Sequence, residues 1–232
     1  MLVKVLTAII AEDVSHLVEK HQLLPANHFE GRPGRTTTDA LHYLVYKIKD
    51  AWRKGKVASL LFLDMEGAFP NAVTDRLIHN LRKHKIPEAY VDFVHRLLDG
   101  RKTRLKFNDF ISELMDIRNG IGQGNPFSML LYILFNADLL ECLALLNDED
   151  AIGYVDDAMA IAFGNNFEET TTILKRMMTR DVGGFAWSLA TTHASKSTNS
   201  SYSTSVSDYN KTPKIRTKGF CSTGHHCIYR TK

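Results

Sequence analysis

Three carboxylates stand at the ends of apolar segments, where a charge is costly unless it has a function. Asp156 and Asp157 separate two apolar runs in "AIGYVDDAMAI" (151–161), and Asp64 ends the apolar run "ASLLFLD" (58–64). The Asp pair alone is typical of an exposed hairpin turn, because Asp is common in turns. Strands of one sheet can, however, bring distant residues together at their ends. We therefore expect Asp64 to cluster with the pair.

Such a cluster has a limited range of chemistry. Neighbouring carboxylates repel one another unless a cation lies between them, and hard oxygen ligands select Mg²⁺ or Mn²⁺. Two such ions serve in-line phosphoryl transfer, in which one activates the attacking hydroxyl and the other stabilises the leaving pyrophosphate. The carboxylates therefore predict a site for two Mg²⁺ ions, with Mn²⁺ as an alternative.

The surrounding pattern predicts the elements that position these residues. Residues 38–53 have the helical 3.6 period, and Thr36 with Asp39 forms a capping-box signature. The apolar run 58–64 is typical of a central strand, and the segments flanking the Asp pair predict two further strands. The pattern also predicts helices over 74–83, 88–98 and 166–180, a hairpin turning at Asn108-Asp109, and a long helix capped by Asn125-Pro126.

Composition sets wide bounds on the protein class. The 232 residues are 44% hydrophobic and 24% charged, as in an ordinary globular protein, and the net charge of +3 does not by itself indicate a nucleic-acid binder. The apolar run 127–146 includes Asn136, Asp138 and Glu141, so it predicts a buried helix and not a membrane span. The three cysteines form no disulfide framework, and Cys221 with His225–Cys227 matches no standard zinc spacing.

Four ordered motifs resemble those of reverse transcriptases from non-LTR (LINE-type) retrotransposons. The resemblance covers about residues 2–188 and implies an α/β (α+β) fold: a palm-type polymerase core with an antiparallel sheet backed by helices. It implies partial fingers over 1–56 and a palm over 57–188, with no recognisable thumb. The four motifs are "HFEGRPGRTTTDAL" (28–41), "LFLDMEGAFPNAV" (61–73), "NGIGQGNPFSMLLY" (119–132) and "YVDD" (154–157).

The resemblance implies roles for residues around the carboxylates. Asp64 and Asp156 match the catalytic metal ligands, Asp157 a weaker third carboxylate, and the Met65 carbonyl a further metal contact. Phe69 matches an aromatic residue that blocks a ribose 2′-hydroxyl, which implies deoxynucleotide substrates; the alternative for Phe69 is core packing.

Five further residues match substrate-contacting positions. Gln123 and Gly124 match a loop that touches the incoming nucleotide and the template, and Tyr154 matches a residue beside the primer end. Arg32 and Arg35 match a fingers segment that contacts template phosphate or base, with a salt bridge to Glu30 or Asp39 as the alternative. The implied partners are an RNA template, a DNA primer and deoxynucleoside triphosphates, with no membrane. The implied place of action is inside the cell, in the nucleus, the cytoplasm or both.

Departures from the family pattern support an alternative function. Glu30 stands where the family has glycine, and the early fingers segment that carries basic residues for the triphosphate is not recognisable. The alternative is a catalytically inactive retrotransposon remnant that binds nucleic acid weakly at most.

The Ser/Thr-rich composition after Ser188 predicts a disordered tail over 189–232. A shifted reading frame over about 190–207 would instead encode the family's next motif and its strand. We therefore hypothesise that this stretch is an out-of-frame translation, with a genuine tail as the alternative.

Overall fold

The chain forms two compact units that interleave along the sequence. The computed structural model describes residues 2–65, 67–187 and 216–221. One unit comprises Met1–Leu23 and Gly67–Phe135, and the other comprises Leu24–Glu66 and Asn136–Lys232. These units do not coincide with the expected boundaries after residues 56 and 188, so the division into fingers and palm stays a prediction.

An antiparallel sheet is the framework of the second unit, as predicted. Its strands are β1 (Val57–Asp64), β6 (Glu149–Tyr154), β7 (Asp157–Gly164) and β8 (Arg216–Cys221). Their order in the sheet is β6-β7-β1-β8, and every neighbouring pair runs antiparallel. The strand that ends at one carboxylate therefore lies directly beside the strand that begins at another.

Helix α2 (Thr37–Arg53) packs against one face of this sheet. The capping box of Thr36 and Asp39 is present at its start, as predicted. Burial of apolar surface between α2 and the sheet stabilises this face. The apolar contacts involve sheet residues Leu60, Ile152, Met159 and Ile161, together with Phe29, and the α2 residues Ala40, Tyr43, Leu44 and Ile48.

Helix α7 (Phe167–Thr179) contacts strands β1 and β7. Asn166 caps its first turn by accepting a hydrogen bond from the backbone N–H of Glu169, within one residue of the predicted start. The Thr170 hydroxyl lies 2.7 Å from the Ser59 hydroxyl, and both residues are buried. This polar contact fixes the register of the helix against β1.

Strand β8 differs from the tail expected by composition. Its backbone pairs with β1 from Ser59↔Cys221 to Asp64↔Arg216. For the rest of 189–232, the disordered tail stays a prediction. The proposed out-of-frame stretch at 190–207 and the histidines near Cys227 lie outside the described residues.

The first unit is mainly helical. The start of the chain forms α1 (Leu2–Lys20), which the sequence pattern had not predicted; it is followed in this unit by α3 (Ala68–Asn71), α4 (Thr74–Lys83) and α5 (Glu88–Leu98). The predicted hairpin at Asn108 is present. It consists of the short strands β2 (Lys102–Thr103), β3 (Lys106–Phe107), β4 (Phe110–Ile111) and β5 (Met115–Asp116).

Helix α6 (Ser128–Leu143) begins in the first unit and ends in the second. It starts later than predicted, because Asn125 caps a preceding turn: its Oδ1 accepts a 2.9 Å hydrogen bond from the backbone N–H of Phe127. Across the described ranges, no helix is both long enough and apolar enough to span a membrane.

Candidate active site

Asp64 and Asp157 lie directly opposite each other in the antiparallel ladder. Asp64 is the last residue of β1, Asp157 is the first of β7, and the two are register partners. Cross-strand partners point to the same face, with Cβ atoms about 4.5–5.5 Å apart. Both residues are largely exposed, and among the side chains of residues 2–65 and 67–187 none forms an ion pair with either. The structure thus brings together the carboxylates that the sequence places far apart.

The turn between β6 and β7 is offset by one residue from the sequence interpretation. Tyr154 pairs with Asp157, so the two turn residues are Val155 and Asp156, and Asp157 already belongs to the strand. The interpretation of the Asp pair as the turn was therefore wrong for Asp157. The reason is the register, which is set by long-range pairing with β1 and not by local turn propensity.

Val155 carries backbone strain at this turn. Its φ of 53° lies in the left-handed region, which two-residue hairpins require but which a β-branched residue adopts at a cost. Strain of this kind costs about 1–3 kcal/mol and persists only where surrounding structure imposes it. At this turn, the strained conformation of Val155 sets the backbone direction at the next residue, Asp156.

Asn136 supplies part of that surrounding structure. Its side chain is fully buried on α6, and Nδ2 donates a 3.0 Å hydrogen bond to the carbonyl of Val155. In the sequence alone, Asn136 indicates only that α6 is not a membrane span. The signal that could have identified it is a buried amide in an otherwise apolar helix, since such a group requires a partner.

Gly153 allows close packing beneath the turn. A Cβ at this position would lie 2.6 Å from Leu140 Cδ1 and 2.8 Å from His28 Cδ2. Gly153 also exchanges backbone hydrogen bonds with a parallel segment: its N–H donates to Asn27 and its carbonyl accepts from Phe29, both at 3.0 Å. The motif that begins at His28 therefore pairs with the strand that leads to the turn at Val155 and Asp156.

The carboxylates form a cluster of like charge. Burial, and then the charges of Asp156, Asp64 and Glu30, raise the pKa of Asp157 above its ordinary value. Glu30, which sequence analysis noted only as a departure from glycine, adds to this negative field. These side chains offer carboxylate oxygens, which are the ligands that hard divalent cations prefer.

Tyr154 completes the row at the end of the sheet. It is half-buried, it is the register partner of Asp157, and its hydroxyl lies 2.6 Å from Thr37 Oγ1. Met65 directly follows Asp64 and is also half-buried. Contacts of Tyr154 with a primer and of the Met65 carbonyl with a metal stay predictions.

Arg32 and Arg35 stabilise the segment that leads into α2. Arg32 is buried, and its Nη1 donates to the carbonyls of Pro25 at 2.7 Å and His28 at 3.2 Å. Arg35 donates to the carbonyl of Ala26, and its guanidinium lies 5.7 Å from the centre of the Phe29 ring. These contacts give both arginines a structural role; their contact with a template stays a prediction.

The remaining candidate residues meet within the first unit. The half-buried Phe69 ring stacks on Tyr132 with 4.8 Å between ring centres, and its carbonyl accepts a 2.7 Å hydrogen bond from the N–H of Ile121. The segment that follows Ile121 carries Gln123 and Gly124, both exposed. The structure therefore joins the expected ribose-blocking residue to the expected nucleotide-contacting loop.

Gly120 is required for this junction. Its φ is 92°, and a Cβ would lie 2.6 Å from the Pro70 carbonyl oxygen, so only glycine fits without displacement. At the other end of the loop, the Ser128 hydroxyl donates to the carbonyl of Gly122. The exposed Gln123 is thus held between two fixed points.

The proteins with similar sequences include polymerases of non-LTR retrotransposons. A probable RNA-directed DNA polymerase from transposon X-element of Drosophila melanogaster is 27% identical over 169 residues, which are 71% of this chain and 18% of that protein. The RNA-directed DNA polymerase from mobile element jockey of Drosophila funebris is 25% identical over 179 residues, 75% of this chain and 19% of that protein. The chain therefore spans less than a fifth of the length of these relatives.

Solved structures share the fold. Apo telomerase from Candida tropicalis, truncated from its C-terminal domain, superposes with a TM-score of 0.56 at 12% identity, over 77% of this chain and 37% of the telomerase chain. This similarity establishes a palm-type polymerase fold. The family model of reverse transcriptase (RNA-dependent DNA polymerase) matches residues 1–206. The chain carries that family's motifs on that family's fold, and it belongs to the reverse transcriptase family.

Proposed function

We propose that this chain catalyses RNA-templated addition of deoxynucleotides to the 3′-hydroxyl of a DNA primer. The observation that carries the proposal is the opposition of Asp64 and Asp157 across β1 and β7, with Asp156 in the intervening turn. Three carboxylates on one edge of a rigid sheet are suited to charge stabilisation in phosphoryl transfer, because this reaction depends on positioning and electrostatics.

Reverse transcriptases generally use divalent metal ions, and the carboxylates of this chain would hold them. Asp64 and Asp156 are the proposed principal ligands of two Mg²⁺ ions, or Mn²⁺, with Asp157 and the Met65 carbonyl as further ligands. Bound Mg²⁺ supplies Lewis-acid activation of the primer hydroxyl and neutralises charge on the triphosphate. The raised pKa of Asp157 favours a weaker, third-ligand role for this residue, because a carboxyl group that holds its proton more tightly binds a cation less readily.

The other residues would select and orient the substrates. Phe69, held by its stack on Tyr132, would exclude a ribose 2′-hydroxyl and so select deoxynucleoside triphosphates. Gln123 and Gly124, exposed on their loop, would contact the incoming nucleotide and the template, and Tyr154 would lie beside the primer end.

The RNA template would pass the segment that Arg32 and Arg35 stabilise. RNA binding by a protein of the same fold supports this part of the proposal, since one of the similar structures is telomerase from Candida tropicalis in complex with a fragment of telomeric RNA.

A primer-extension assay tests the function. The chain is incubated with poly(rA)/oligo(dT), dTTP and Mg²⁺, beside Asp156→Asn and the matched control Asp181→Asn, an exposed carboxylate outside the cluster. The proposal expects extension by the wild type and by the control, and none by Asp156→Asn. A wild-type chain that extends no primer even at high protein concentration would overturn the proposal. The alternative, a catalytically inactive retrotransposon remnant, would then be supported.

A further inference from the structure

The outermost side chain in the carboxylate row belongs to Tyr154. Tyr154 lies opposite Asp157, and Asp157 lies opposite Asp64, so the three occupy one line across β6, β7 and β1. Register partners in an antiparallel sheet point to the same face. The orientation of the Tyr154 ring therefore shapes the wall beside both carboxylates.

Two contacts hold this ring. Tyr154 packs against the apolar cluster beneath α2, which includes Ile152 and Met159. Its hydroxyl is hydrogen-bonded to Thr37 Oγ1 at 2.6 Å, across 117 positions of the sequence. Because a half-buried tyrosine anchored only at its base can swing about χ1, the hydroxyl contact is what fixes its outer end.

Thr37 is itself a rigid partner. It is the first residue of α2, and the capping box of Thr36 and Asp39 orders the turn in which it lies. As a β-branched residue it has restricted χ1 freedom. The rest of α2 packs on the sheet through Tyr43 and other apolar residues, so the position of Oγ1 is fixed independently of the turn at Val155.

The catalytic turn is thus fixed by two separate contacts: Asn136 on α6 binds the Val155 carbonyl, and Thr37 on α2 binds the preceding tyrosine. From this arrangement we infer that Thr37 is a positioning residue, which holds the Tyr154 ring in the orientation that receives the primer end. The inference rests on the proposed polymerase function. It assigns a role in the reaction to the start of α2, which bears none of the carboxylates.

Steady-state extension of poly(rA)/oligo(dT) by three variants tests the inference. Thr37→Val removes the hydroxyl at nearly constant volume and should raise KM for primer–template by about three- to ten-fold, as expected for one lost hydrogen bond. The kcat at saturating primer–template should change by less than about two-fold, because the loss concerns binding. Thr37→Ser keeps the hydroxyl and should restore the wild-type KM. Thr38→Val alters an exposed neighbour and should have no effect.

A double-mutant cycle separates positioning from general destabilisation. In the Tyr154→Phe background the partner hydroxyl is absent, so Thr37→Val should change KM no further. Equal urea midpoints of Thr37→Val and Thr38→Val would exclude unfolding as the cause. A KM for Thr37→Val equal to that of Thr38→Val, or an undiminished effect in the Tyr154→Phe background, overturns the inference.

A failure of the proposed function gives a different result. In that case the wild type itself extends no primer, and fluorescence anisotropy of labelled primer–template decides the inference with the same variants. Weaker binding by Thr37→Val but not by Thr38→Val supports it. Equal binding by both variants overturns it.

Discussion

The side-chain amide of Asn136 donates a 3.0 Å hydrogen bond to the backbone carbonyl of Val155. Val155 occupies the left-handed region of φ,ψ space, which its branched side chain disfavours, and the amide lies fully buried beneath it. The strained turn that contains Asp156 is therefore held by a side chain of helix α6, which lies outside the hairpin.

Asn136→Ala should destabilise the chain by about 1–3 kcal/mol, because it leaves the buried Val155 carbonyl without its donor. Urea unfolding followed by circular dichroism measures the change. Asn165→Ala, at an exposed position on the loop before α7, should unfold like the wild type. Equal midpoints for the two variants would contradict a structural role for the Asn136 amide.

Asp157→Asn should stabilise the chain near neutral pH by roughly 0.2–1 kcal/mol, because it removes one of two like charges placed directly opposite in the sheet. The pKa of Asp157 is raised in the folded state, by burial first and then by neighbouring carboxylates. The folded state therefore binds this proton more tightly than the unfolded state does. The destabilisation by the charge of Asp157 is therefore absent below the pKa that this residue has in the unfolded chain. It develops as pH rises through the pKa that Asp157 has in the folded chain.

Urea midpoints of Asp157→Asn and the wild type at pH 3 and pH 7 check this prediction. The urea midpoint of Asp157→Asn should be higher than that of the wild type at pH 7, and the two midpoints should be equal at pH 3. Asp181→Asn, outside the cluster, should show no such pH-dependent gain. A lower midpoint for Asp157→Asn at pH 7 would mean that the charge of Asp157 stabilises the fold.

His28 should make the protein sensitive to acid. Burial, followed by the charges of Arg32 and Arg35, lowers the pKa of His28 to about 3. The unfolded chain takes up this proton near the ordinary histidine value of about 6.5, while the folded chain does not. The contribution of uncharged His28 to the free energy of unfolding is therefore fully present above a pH of about 6.5. It is lost as pH decreases towards 3, by up to about 1.4 kcal/mol per pH unit.

His28→Phe keeps a ring but cannot be protonated, so the free energy of unfolding should depend less steeply on pH between 6.5 and 4. Chemical unfolding at several pH values measures the slope. His79→Phe alters an exposed histidine and should keep the wild-type slope. If His28→Phe keeps it as well, another group accounts for the acid sensitivity.

Phe69→Ala should reduce discrimination between deoxynucleotides and ribonucleotides by roughly ten-fold or more, because the proposed steric block is removed. The measurement is the ratio of kcat/KM for dTTP and UTP in primer extension. The control is Phe107→Ala, which truncates an exposed aromatic residue on the hairpin of the same unit. An unchanged ratio in Phe69→Ala would leave Phe69 as a packing residue for Tyr132.

Elements whose signals are local could be predicted closely from the sequence. Helices α4 and α5 have the predicted bounds, and α2 and α7 start within one residue of theirs. Caps and the 3.6-residue period are contained in a few neighbouring side chains, which explains this agreement. Apolar strands that end in carboxylates likewise indicated where the site would form.

Features that depend on distant pairing could not be predicted. The register of β7 on β1 decides that Val155 and Asp156 form the turn, and no local pattern contains that register. The bonds of Asn136 to Val155 and of Thr37 to Tyr154 join residues from separate elements. Strand β8 pairs with β1, which is distant in the sequence, and the composition of residues 189–232 contains no signal for that pairing.

The parallel bridge of His28 with Gly153 also covers part of an edge of the sheet. Strand β6 is an outermost strand of the sheet, and unpaired N–H and C=O groups on such a strand can template pairing with another molecule. Asn27 and Phe29 occupy those groups at Gly153. The residues that lead into α2 therefore also cover the edge of β6 at Gly153, where a strand of another molecule could otherwise pair.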